Sequence, residues 1–154
     1  MKVVSKRIKH ELDLLADYNI ETEGVFNHHN EMIINIYPCE KQKYYIKFTL
    51  SKEYPFNAPK VVLFNLENNE QIRYTDHFVK MYNFYKKEKK IKYDCPCCYN
   101  LICEWQLQIK LIQVVHEIQQ FDERLIRFRS IYYSKYLKQL DICEDVINVI
   151  VGFL

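Results

Sequence analysis

Hydrophobic and polar positions follow two rhythms along this chain. Near the start, Val4, Ile8, Leu12 and Leu15 recur at helical spacing, with Lys6, Arg7, Lys9 and Glu11 around the rest of the turn. The pattern predicts an amphipathic helix over residues 4–16 with its charges in water. The following stretch, YNIETEGVFNHHNE, keeps no period and reads as loop and edge material. The period then drops to two. MIINIY (32–37) is short and β-branched, which predicts a strand. In YYIKFTL, Tyr44, Ile46, Phe48 and Leu50 alternate with Tyr45, Lys47 and Thr49, as a half-buried strand requires. The segment SKEYPFNAP interrupts with two prolines, and KVVLFNL resumes as a third strand.

Residues 66–94 are the least regular part. ENNEQ is a polar turn, KKEKKIK is a second break, and no strong period joins them. After Trp105 the helical rhythm returns. Leu107, Leu111, Val114, Val115 and Ile118 form one stripe, and Leu125, Phe128, Tyr132 and Tyr136 share a face further on. The tail ICEDVINVIVGFL predicts a last short helix with Ile142, Val146, Val149, Ile150 and Phe153 along one side. Strands followed by helices predict an α+β fold, with an antiparallel meander sheet flanked by an N-terminal helix and C-terminal helices. No repeat or linker divides residues 1–154, so one domain is expected.

Composition narrows the function classes. Apolar residues make up 49% and aromatics 15%, which excludes a disordered chain. Only two glycines occur, Gly24 and Gly152, too few for a glycine-rich phosphate loop. A net charge of +2 gives no basic face for nucleic acid, and Lys86–Lys92 reads as a solvated loop. The chain turns polar directly after Met1, and no apolar run approaches the roughly 20 residues of a membrane span. These features predict an intracellular, cytoplasmic protein with reduced thiols and no membrane partner.

The segment CPCCYNLICEW, residues 95–105, concentrates four of the six cysteines and the only tryptophan. Read as chemistry alone, it allows a reactive thiol, a metal site, or small buried hydrophobes. Cys95, Cys97, Cys98 and Cys103 are enough thiols for tetrahedral zinc, with His77 as a further ligand. The spacing is unlike the two separated pairs of a usual finger, and adjacent Cys97 and Cys98 would strain to share one ion.

The order strand, Tyr54-Pro55-Phe56, Pro59-Lys60-Val61, strand resembles the centre of the ubiquitin-conjugating enzyme fold. In that family a leucine lies four residues after the active cysteine and a tryptophan eight residues after it. Counting back from Trp105 gives Cys97, with Leu101 at the leucine position. SKRIKHELDLL is similar to the family's first helix, so the resemblance covers about residues 5–120 and leaves a helical tail over 121–154. The vocabulary of Lys, Ile, Asn and Tyr is similar to that of ubiquitin-conjugating relatives of giant DNA viruses, for which the site of action would be the host cytoplasm.

The resemblance implies acyl transfer. Cys97 would receive ubiquitin or a relative from an activating enzyme as a thioester and pass it to a substrate lysine, with no cofactor. The family's His-Pro-Asn triplet is absent. Asn83, in MYNF, takes the asparagine position as oxyanion donor, although YKKEKKIKYD intervenes before the cysteine. Asp94 or Asp122 would assist the incoming lysine. Tyr54 and Phe56 are expected to anchor the proline-stiffened crossing by burial. Phe56 and Leu107 also fall where the family meets its ligases, but Gln106-Leu107-Gln108 replaces the usual Ser-Pro-Ala. A monomer with transient partners is implied. A second class stays open: a catalytically inactive ubiquitin-conjugating variant or RWD-like interaction module, with zinc as a structural option at the cysteine cluster.

Overall fold

A computed structural model of the chain describes residues 5–27, 29, 31–38, 42–91, 99–140, 143–146 and 149. They form two compact units: residues 1–75 with 95–117, and residues 76–94 with 118–154.

The first unit opens with helix α1, Lys6–Asp17. Ser5 caps it, its hydroxyl accepting the Ile8 N–H at 3.2 Å. Asn19, at φ 55°, ends it in the left-handed region, which asparagine tolerates better than most residues. The Ile20 N–H then bonds back to the Leu15 carbonyl. Ile8, Glu11 and Leu15 are the buried residues of this helix. Glu11 therefore corrects the expectation of a solvent-facing charge, for a reason given below.

Four strands follow: β1 (Glu21–Phe26), β2 (Met32–Tyr37), β3 (Tyr44–Leu50) and β4 (Lys60–Asn65). They pair antiparallel in chain order, a meander. The three expected strands are present. β1 is an addition, in a stretch read as loop and edge. Its side chains are almost all exposed, so no alternation marked it in the sequence. Backbone pairing with β2 forms it instead, Gly24 opposite Ile34 and Val25 opposite Ile33. In β2 and β3 burial alternates strictly. Ile34 lies opposite Phe48 and Ile36 opposite Ile46, all four fully buried on one face of the sheet.

Past the sheet come α3 (Asn100–Cys103) and the first turns of α4 (Leu111–Gln139). Leu111, Val114 and Val115 are fully buried, as their stripe predicts, whereas Leu107 lies before the helix and is exposed. The two predicted helical stretches are one continuous helix.

The second unit contains α2 (Asp76–Glu88), where no regular element was expected, and the rest of α4. Aromatic residues build its core. Phe128 lies 5.0–5.7 Å, ring centre to ring centre, from Phe78, Tyr82 and Tyr85 of α2. Tyr82 is fully buried. Phe78, Tyr82 and Tyr85 recur at helical spacing, so a signal for α2 existed. The lysine run at its end and the polar residues between the aromatic positions masked it. Residues 144–146 and 149 of the predicted tail helix are helical.

Among the described residues, no helix is long and apolar enough to cross a membrane.

Candidate functional site

The Tyr-Pro-Phe turn between β3 and β4 is tied to three other parts of the first unit. The Tyr54–Pro55 peptide is cis. Tyr54 lies inward, 7% exposed, whereas Phe56 faces outward, 77% exposed, which corrects the expectation that both rings anchor the turn by burial. The Tyr54 hydroxyl donates to Glu11 Oε1 at 3.0 Å. The other carboxylate oxygen, Oε2, accepts the backbone N–H of Leu111 at 2.9 Å, at the start of α4. Arg7 Nε lies 2.6 Å from Oε1 as an ion contact without an aligned hydrogen bond, and Arg7 also donates to the Ile109 carbonyl at 2.6 Å. One buried carboxylate thus joins α1, the turn and α4. The two hydrogen bonds satisfy carboxylate oxygens that burial strips of water, and the Arg7 guanidinium balances their charge.

Burial pushes the Tyr54 phenol above its ordinary value of 10.0, and the Glu11 carboxylate pushes it further, against an opposing effect of Arg7. The folded state therefore keeps this proton where the unfolded chain releases it. The stability this contributes is complete below about pH 10 and is lost as pH rises above that. Tyr54→Phe should lower stability at neutral pH by about 1–2 kcal/mol, because a buried acceptor loses its donor. It should also show a smaller further loss than wild type between about pH 9 and about pH 11 in urea titrations. An equal alkaline loss in both proteins would refute the role of this phenol.

A second clamp lies beside the first. The Trp105 indole N–H donates to the Pro55 carbonyl at 2.8 Å. The Trp105 and Tyr54 rings sit 5.9 Å apart. Upstream of Trp105, the Glu117 carboxylate accepts the N–H groups of Asn100 and Leu101, at 2.7 and 3.0 Å, and so caps α3. Tyr99, just before, has φ 63°, an uncommon backbone state for a residue other than glycine. The Trp105–Pro55 bond draws together the segments that carry Phe56 and Leu107, which are 77% and 49% exposed. Two large apolar side chains thus stand in solvent near the two ends of this hydrogen bond.

The remaining predicted residues fall elsewhere. Cys95, Cys97, Cys98 and Asp94 lie outside the described residues. Cys103 is disulfide-bonded, which corrects the expectation of a free thiol there. Composition argues about compartment, but the approach of two sulfur atoms decides pairing. While so paired, Cys103 has no thiolate to offer zinc. Among the described residues, no group of three or more His, Cys, Asp or Glu side chains could hold a metal. Cys143 is a free, exposed thiol.

Asn83 is exposed on α2, in the second unit. Asp122 is half-buried on α4, where burial pushes its carboxyl up against the opposing pull of Arg129. His77 is exposed in the first turn of α2.

Sequence reading missed Glu11, Glu117 and the Pro55 carbonyl. Glu11 falls on the spacing of Ile8 and Leu15, which was its one available signal. Backbone acceptors carry none.

Comparison with models of protein families, with curated proteins and with solved structures yields no match to this chain.

Proposed function

We propose that this protein is a ubiquitin-conjugating-type acyl carrier, in which Cys97 holds ubiquitin or a relative as a thioester and Phe56 with Leu107 meets a partner protein. The observation that carries the reading is the Trp105–Pro55 clamp, with an exposed apolar side chain next to each end. The order of α1, the four-stranded meander, the Tyr-Pro-Phe turn and the helix after Trp105 supports it.

In the proposed reaction the Cys97 thiolate attacks the thioester carbonyl on the activating enzyme. A new C–S bond forms and the enzyme's thiolate leaves. A substrate lysine amine then attacks the same carbonyl, the C–N bond forms, the amine loses a proton and the Cys97 thiolate departs. The reaction needs neither metal nor nucleotide on this chain.

A second reading is supported by a specific observation. Asn83, the substitute for the missing triplet, stands on the surface of a helix in the other unit. An exposed Asn83 in place of the family triplet favours an interaction module, which would use Phe56 and Leu107 without thioester chemistry.

The test mixes the protein with activating enzyme, ATP and ubiquitin and resolves the products on a non-reducing gel. The carrier reading expects a reducible adduct that persists in Cys95→Ser and is absent or reductant-resistant in Cys97→Ser. Phe56→Ala should leave stability within about 0.5 kcal/mol, since the ring is exposed, while weakening downstream transfer. No adduct with ubiquitin or its relatives sinks the carrier reading and leaves the module.

A further inference from the structure

The second unit bears an open apolar groove of about 440 Å3 between α2 and α4. Met81, Phe84 and Tyr85 line one wall, and Phe128, Ile131 and Tyr132 line the other. Phe84 is 70% exposed and Ile131 50%, so both present apolar surface to water. Lys80 and Lys135 stand among the lining residues, against a single acid, Glu88. The lining runs from His77 to Glu88 on α2 and from Phe128 to Gln139 on α4. Each wall thus spans three helical turns, roughly 16 Å.

The chain itself carries a segment of matching length and chemistry. In DICEDVINVIVGFL, residues 141–154, Ile142, Val146, Val149, Ile150 and Phe153 recur at helical spacing over the same three turns. Its charged residues are Asp141, Glu144 and Asp145, all acidic, opposite a groove with two lysines. The segment begins where the groove ends, since Gln139 is both the last residue of α4 and part of the lining. Glu144 already pairs with Lys138 at 3.2 Å across that junction. Among the described tail residues, Val146 and Val149 are exposed at 49% and 60%, so they, like Phe84 and Ile131 of the groove, present apolar surface to water.

We propose that residues 141–154 fold back along α4 as an amphipathic helix and dock in the α2–α4 groove, closing the second unit as three packed helices. Apolar burial of Phe84 and Ile131 against Val146 and Val149 drives the docking. The short tether raises the effective concentration of the tail at the groove. A free helix of this length is marginal in water, so helical protection of the tail reports docking directly.

Hydrogen exchange of the full-length chain, read by mass spectrometry on peptides from residues 141–154, tests the proposal. Wild type should exchange there at least about tenfold more slowly than Phe84→Glu and Val149→Glu. These variants place a charge on each side of the contact at sites already facing solvent, so the fold survives them. Val25→Glu, on the exposed face of β1, should leave the tail unchanged. Protection should also be unchanged on dilution. A tail that exchanges in wild type at the free-peptide rate overturns the proposal, as does protection that ignores both groove and tail variants. Protection that falls on dilution also overturns it, because the occupant is then a second copy of the chain.

Discussion

Glu11→Ala is expected to destabilise the first unit by about 3–5 kcal/mol, the cost of breaking a buried, hydrogen-bonded ion cluster by removing one member. The carboxylate is fully buried and serves three groups: Arg7, the Tyr54 hydroxyl and the Leu111 N–H. Its removal leaves a part-buried guanidinium facing an uncharged cavity, a phenol without its acceptor, and an orphaned donor in the first turn of α4. Glu11→Gln keeps the volume and one acceptor but lacks the charge, so it should fall between wild type and alanine. An exposed pair gives the scale. Lys43 and Glu67 are 4.0 Å apart and mostly in solvent, so Glu67→Ala should change stability by no more than about 1 kcal/mol. Urea denaturation of the three variants measures all of this. A Glu11→Ala loss as small as that of Glu67→Ala would mean that the cluster carries no net stability.

Phe128→Ala should cost about 3–5 kcal/mol in the second unit, the range for truncating a buried aromatic ring. Phe128 is 4% exposed and its ring meets those of Phe78, Tyr82, Tyr85 and Tyr132. Deleting it removes the common neighbour of four rings, and α2 and α4 cannot close the gap without moving. Phe128→Leu retains much of the apolar volume and should cost less than the alanine variant. Thermal unfolding followed by near-ultraviolet circular dichroism checks this, because the tyrosine signals depend on that packing. An unchanged melting temperature in Phe128→Ala would refute a tightly packed aromatic core.

Legibility in the sequence followed the physical origin of each element. β2 and β3 were readable because half-buried strands impose a two-residue period on side chains, visible in Tyr44, Ile46, Phe48 and Leu50. β1 was not, because ETEGVF forms its strand through backbone pairing while its side chains stay in water. For α2, the stripe of Phe78, Tyr82 and Tyr85 was present but was outweighed by polar neighbours and a lysine run. At the turn, the residue pattern misplaced Phe56 and Leu107, an aromatic and a stripe leucine that read as buried, whereas both are exposed. What positions them was hidden, since a proline carbonyl accepting an indole N–H leaves no trace in composition or period.

Local pattern alone carried the α+β class, the strand pairing order implied by short connections, and the apolar faces of α1 and α4. Each follows from local periodicity and backbone preference, which act over a few residues. Long-range contacts alone place Glu11 in the interior, let Tyr54 and Leu111 share its carboxylate, and bring Glu117 to cap α3. A charge on a helix reads as solvent-facing until donors distant in sequence surround it. Those donors arrive from residues 43 and 100 positions away, and no local pattern encodes their meeting.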